Sequence, residues 1–64
     1  MSLDITALEV AVEEDLLPLT ALLHQKGVPH RIYEAQGRQV VKVASPEAAG
    51  AVRDLYAAWR RGDV

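Results

Sequence analysis

The chain has no cysteine among its 64 residues. That excludes a disulfide staple and a thiolate metal site, and it fits a reducing compartment. Aromatic side chains are scarce, with Tyr33, Tyr56 and Trp59 alone, so the core must be built from Leu, Val, Ile and Ala. No apolar run approaches the ~20 residues that span a bilayer. Met1 to Thr6 lacks the basic and apolar regions of a secretory leader, so no export signal is expected there. An excess of positive charge is missing too. Seven Lys/Arg against nine Asp/Glu give a net charge of −2, which argues against a nucleic-acid partner, because counterion release from phosphates needs a basic face. A chain of this length makes one domain at most, and its core holds roughly 3–5 kcal/mol.

What is present is unevenly charged. Asp4, Glu9, Glu13, Glu14 and Asp15 make the first 23 residues acidic, whereas from His24 onward seven Lys/Arg oppose four Asp/Glu. Leu8, Val10 and Val12 alternate with Glu9, Ala11 and Glu13, the period of a half-buried strand. Asp15 follows as a helix N-cap, with Pro18 near the third helical position and Leu16, Leu19, Leu22 and Leu23 as the buried stripe. Lys26 suits the last turn, and Gly27 suits the left-handed residue that stops a helix. A hairpin comes next. His30, Ile32 and Glu34 share one face, Arg31, Tyr33 and Ala35 the other, and Gln36-Gly37 makes the turn. The return strand, Gln39 to Val43, is apolar on both faces through Val40, Val41 and Val43, which suits a central strand. Ser45-Pro46-Glu47 opens a second helix. Its stripe is Ala48, Val52, Leu55, Tyr56 and Trp59, and Gly62 closes it.

The order β-α-β-β-α predicts a small α+β domain. Its three-stranded sheet has spatial order 1-3-2 with both helices on one face, a ferredoxin-like arrangement lacking the last strand. The expected division is a disordered N-terminus or cloning remnant over 1–6, one domain over 7–62, and the start of a linker at 63–64. The first strand becomes an edge with unpaired backbone groups, a place for weak homodimerisation.

Candidate chemistry is thin. His24 and His30, six residues apart across a helix end, match no zinc spacing and read as helix-surface or turn-capping residues. Ser2, Ser45, Thr6 and Thr20 have no His-acid pair placed to activate them. Glu13-Glu14-Asp15 reads as a solvated strand-to-helix corner rather than a cation or acid/base site. Arg31, Glu34, Arg38 and Lys42 are expected to neutralise one another across the hairpin. Trp59 continues the helix stripe, while Arg60 and Arg61 suit either the helix dipole or an anionic surface. No catalytic residue and no cofactor are assigned. The candidate interaction surface is His30, Arg31, Arg38, Lys42, Arg60 and Arg61.

Several segments together resemble a known family. They are Asp15-Leu16-Leu17-Pro18-Leu19, Leu22-Leu23, Gly27-Val28-Pro29-His30-Arg31-Ile32 with Glu34, Gly37 and Gln39-Val40, and Val52-Arg53-Leu55-Tyr56-Trp59-Gly62. The chain is similar, over about residues 7–62, to the N-terminal cytosolic domain of bacterial rhomboid intramembrane serine proteases. It departs from the pattern at Lys42, where an aromatic residue is expected. The resemblance implies a non-catalytic accessory or regulatory domain, the Ser-His dyad lying in a transmembrane peptidase core outside these residues. It also implies a place on the cytoplasmic face of a Gram-negative inner membrane, with Arg60-Arg61 on the positive-inside side. The expected partners are that attached core, an anionic membrane surface and a weak homodimer. A free-standing protein-interaction or ligand-sensing ferredoxin-like domain is the alternative, and an enzyme in its own right is the weakest reading.

Overall fold

The computed structural model describes residues 2–63. Five elements follow in the order β1 (Ile5–Ala11), α1 (Leu17–Gln25), β2 (Arg31–Ala35), β3 (Arg38–Val43) and α2 (Pro46–Arg61). The sheet has the order β1-β3-β2, and β3 pairs antiparallel with both neighbours. The architecture is the α+β arrangement expected, with the Val-rich strand in the centre.

Strand parity explains the two faces of this sheet. Val41 and Val43 are fully buried and join one core with Ala7, Val10, Leu16, Leu19, Leu23, Ala49 and Val52. Val40, one residue before Val41 and so of opposite parity, is buried but stands outside that core. The helices therefore cover the face of Val41 and Val43, and Val40 belongs to the open face.

Three boundaries differ from expectation, each for a physical reason. The strand β1 starts inside the stretch expected to be disordered, because Ile5 pairs with Val43 and packs on the core while Thr6 pairs with Lys42. It ends at Ala11, leaving Val12 exposed in the turn instead of continuing the apolar face. Between Thr6 and Leu8 the register shifts, and Ala7 is the extra residue. This bulge lets Ile5 and Leu8, an odd number of residues apart, both lie on the helix side. Met1 and Val64, at the ends of the expected N-terminal remnant and linker, lie outside the described residues.

The helix α1 begins later than Asp15 predicts. Leu16 occupies the N-cap position without a side-chain cap, since its own side chain is buried in the core. Asp15 still helps, one residue earlier, by accepting from the Leu17 N–H at 3.0 Å. At the other end Gly27, at φ +70°, donates to the His24 carbonyl, and the Val28 N–H donates to Leu23. That doubly bonded stop turns the chain back toward the sheet. In α2 the Ser45 hydroxyl accepts from the Ala48 N–H at 3.1 Å, as the sequence indicates. Its buried stripe includes Ala49 with Val52, the small residue letting the helix approach the sheet.

Candidate functional site

The open face of the sheet is built by the hairpin. Gln36 (φ 55°) and Gly37 (φ 75°) form a two-residue turn of left-handed residues, the conformation whose twist matches the flanking strands. The register then aligns three rows. Arg31, Lys42 and Thr6 stand in line; Tyr33, Val40 and Glu9 form the next row; Ala35, Arg38 and Ala11 form the last. Directly opposed residues point to one face, so Arg31, Arg38 and Lys42 project together from the face that no helix covers. Tyr33, 41% exposed, lies between them over Val40.

The electrostatics of this face differ from those of the whole chain. Two acids accompany it: Glu9 lies 3.7 Å from Arg38 with both side chains half exposed, and Asp4 lines the hollow beside Arg31 and Lys42. Arg38 also donates to the Glu9 carbonyl at 3.2 Å. Lys42 donates to the Thr6 hydroxyl at 2.6 Å and to the Asp4 carbonyl at 3.2 Å, and among the described residues it makes no ion pair. Glu34 pairs with Gln39 and so belongs to the other face. The expected neutralisation across the hairpin therefore does not occur: Arg31 opposes Lys42, a like charge. The result is a cationic face on an acidic domain, with a shallow hollow lined by Leu3, Asp4, Arg31, Tyr33 and Lys42.

The remaining candidate residues are used elsewhere. The His30 Nδ1–H donates to the Val28 carbonyl at 2.9 Å across Pro29, a turn-capping role. Arg60 donates to a Glu14 carboxylate oxygen at 2.6 Å, and the Tyr56 hydroxyl donates to the same oxygen at 2.9 Å. The Arg60 guanidinium also lies 5.9 Å from the Tyr56 ring centre, and Tyr56 meets Trp59 edge to face at 5.7 Å. Burial, then the bond to Glu14 and its negative charge, raise the Tyr56 hydroxyl above its ordinary pKa of about 10, against a smaller opposing effect of Arg60. Arg61 pairs with Asp63 at 2.9 Å in the open. Of six residues marked in the sequence, the fold brings three to one face and commits Arg60 to a corner clamp.

Two participants were not marked in the sequence. Tyr33 had a signal, since it shares strand parity with Arg31. Glu14 had none that is local, because its partners are 42 and 46 positions away. Among the described residues, no group of three or more His, Cys, Asp or Glu is placed to hold a metal ion. No helix among them is long and apolar enough to cross a membrane.

The fold and face together define a small α+β domain with one charged, open sheet face. The chain belongs to the rhomboid N-terminal domain family, whose model it matches over residues 1–64. Comparison with curated proteins and with solved structures gives no match.

Proposed function

We propose that this is the non-catalytic N-terminal accessory domain of a rhomboid-type intramembrane serine protease. It lies on the cytoplasmic face of the inner membrane and tunes an attached transmembrane peptidase core. The family match along the whole chain is the observation that carries this reading. The open face adds physical support. Arg31, Arg38 and Lys42 suit the anionic phosphates of a cytoplasmic leaflet, where each nearby cation contributes about 1 kcal/mol. Tyr33 suits the headgroup level, with an apolar ring and a polar tip.

The test has two arms. The parent gene should encode several ~20-residue apolar spans downstream, carrying a Ser and a His for the dyad; their absence would overturn the assignment. The second arm deletes residues 1–64 from the parent protein in liposomes and follows cleavage of a transmembrane substrate. Retained cleavage with a rate altered several-fold on anionic lipid is the expected result. Identical rates with and without the domain, on neutral and anionic lipid alike, would overturn the tuning role.

A further inference from the structure

The sheet has two outer edges, and they are finished differently. The two-residue turn makes Ala35 and Arg38 a hydrogen-bonded pair, so Tyr33–Val40 and Arg31–Lys42 are bonded pairs as well. By alternation, residues 39, 41 and 43 turn their backbone groups toward β1, and Val10, Leu8 and Ile5 answer them. Glu9 and Ala11 then point outward from β1, while the bulged Ala7 stands outside the ladder.

Side chains and the following turn take up these β1 carbonyls. Arg53 Nε donates to Ala7 at 3.1 Å, and an Arg38 guanidinium nitrogen donates to Glu9 at 3.2 Å. The Ala11 carbonyl accepts from the Glu14 N–H at 3.1 Å and from the Gln39 amide at 3.2 Å. With the bulge, these contacts occupy the outward carbonyls of the first strand, the edge that sequence reasoning singles out for association. On β2 the outward groups are the N–H and C=O of Ile32 and Glu34. Among the described residues no side chain or loop bonds to them.

We propose that β2 is the edge at which a second copy of this chain adds, by antiparallel β2–β2 pairing about a two-fold axis at Tyr33. The register that uses only groups inside the strand sets Ile32 against Glu34 of the other copy, and the reverse, which engages all four free groups. It sets Tyr33 against Tyr33 and Arg31 against Ala35. No like charges meet directly, and two half-exposed rings stack on the open face. The pairing yields one six-stranded sheet whose cationic faces are continuous. It stands on the edge alone and does not depend on the accessory-domain reading.

A five-residue strand makes a contact smaller than the roughly 1,200–2,000 Å² of a stable complex, so association is weak. The native chain has no cysteine, which gives the test a clean background. Directly opposed residues in a non-bonded pair have Cα atoms about 4.5 Å apart, within disulfide range. The 64-residue chain carrying Tyr33→Cys should therefore cross-link to a dimer in a glutathione redox buffer, at least tenfold faster than Glu9→Cys on β1. Sedimentation equilibrium of the unmodified chain up to 1 mM should show a rising mass. Tyr33→Arg should return it to monomer with an unchanged circular dichroism spectrum, by placing two cations on the axis. Equal cross-linking of the two cysteine variants, or a monomer mass throughout, would overturn the proposal, the latter pointing to a strand from another protein.

Discussion

On the covered face of the sheet, Val41 and Val43 meet Leu19, Leu23 and Val52 with no solvent exposure. One residue along, on the open face, Val40 is nearly as buried, yet its neighbours on that face are Tyr33, Arg31, Arg38 and Lys42. The same strand thus supplies both faces with valine and surrounds it differently. Close-packed aliphatic neighbours hold the first set, and mobile amphipathic chains shelter the second. Burial measures the two alike; the consequence of losing a methyl group separates them.

The sharpest way to test that contrast is a matched pair. Val41→Ala removes two carbons from a packed site and should destabilise by about 2–3 kcal/mol. In a domain of this size that lowers the melting temperature by about 10–20 °C. Val40→Ala should cost about 1 kcal/mol, since long side chains settle over the gap. Equal losses in thermal unfolding would dissolve the distinction between the faces.

Tyr56→Phe probes the corner where the covered side meets solvent. Losing the bond to Glu14 should cost about 1 kcal/mol at neutral pH. Its pH dependence is the more specific readout. Because the folded pKa is raised, the unfolded chain releases the hydroxyl proton first. The stabilisation is fully present below about pH 10 and is lost as pH rises through the folded value. Denaturant unfolding of the native chain should weaken in that alkaline window, and the Phe variant should lose this component of the slope.

Smaller still is the effect of Gln36→Asn in the hairpin turn. Asn tolerates the left-handed conformation better than Gln, so a gain of about 0.5 kcal/mol is expected in chemical denaturation. Last comes Arg31→Glu on the open face. Its stability should stay within about 0.5 kcal/mol of the native chain, while co-sedimentation with phosphatidylglycerol vesicles falls. A large loss of stability would mean that the cations hold the fold instead of presenting a surface.

Elements with local chemistry were legible in the sequence. Ser45-Pro46, Gly27, Gly37 and Gly62 each act within a few residues of themselves, and the 3.6-residue stripe of α2 and the two-faced Val run of β3 fixed strand order. The β1 bulge was not legible, because it answers Arg53, 46 positions away. Nor was the N-cap of α1, where burial of Leu16 overrode the capping preference of Asp15. For the surface, parity alone gathers Arg31, Arg38 and Lys42, but Arg60 is diverted by Glu14 from the far side of the chain. Long-range polar partners decide these cases, and no periodicity encodes them.

The extra residue at Ala7 has a further consequence. Ile5 and Leu8 face Val43 and Val41, and both reach the core, although three steps along an unbroken strand would send them to opposite sides. The two ends of β1 are written in different frames, and Ala7 is the punctuation between them. Drawing Ala7 into the ladder as an ordinary residue, with the bulge straightened, would act like a frameshift in side-chain parity. Ile5 would be turned out among the cations, and Thr6 would be turned in, away from the Lys42 ammonium that its hydroxyl now receives at 2.6 Å. A strand able to seat in one frame alone is guarded against sliding along its neighbour.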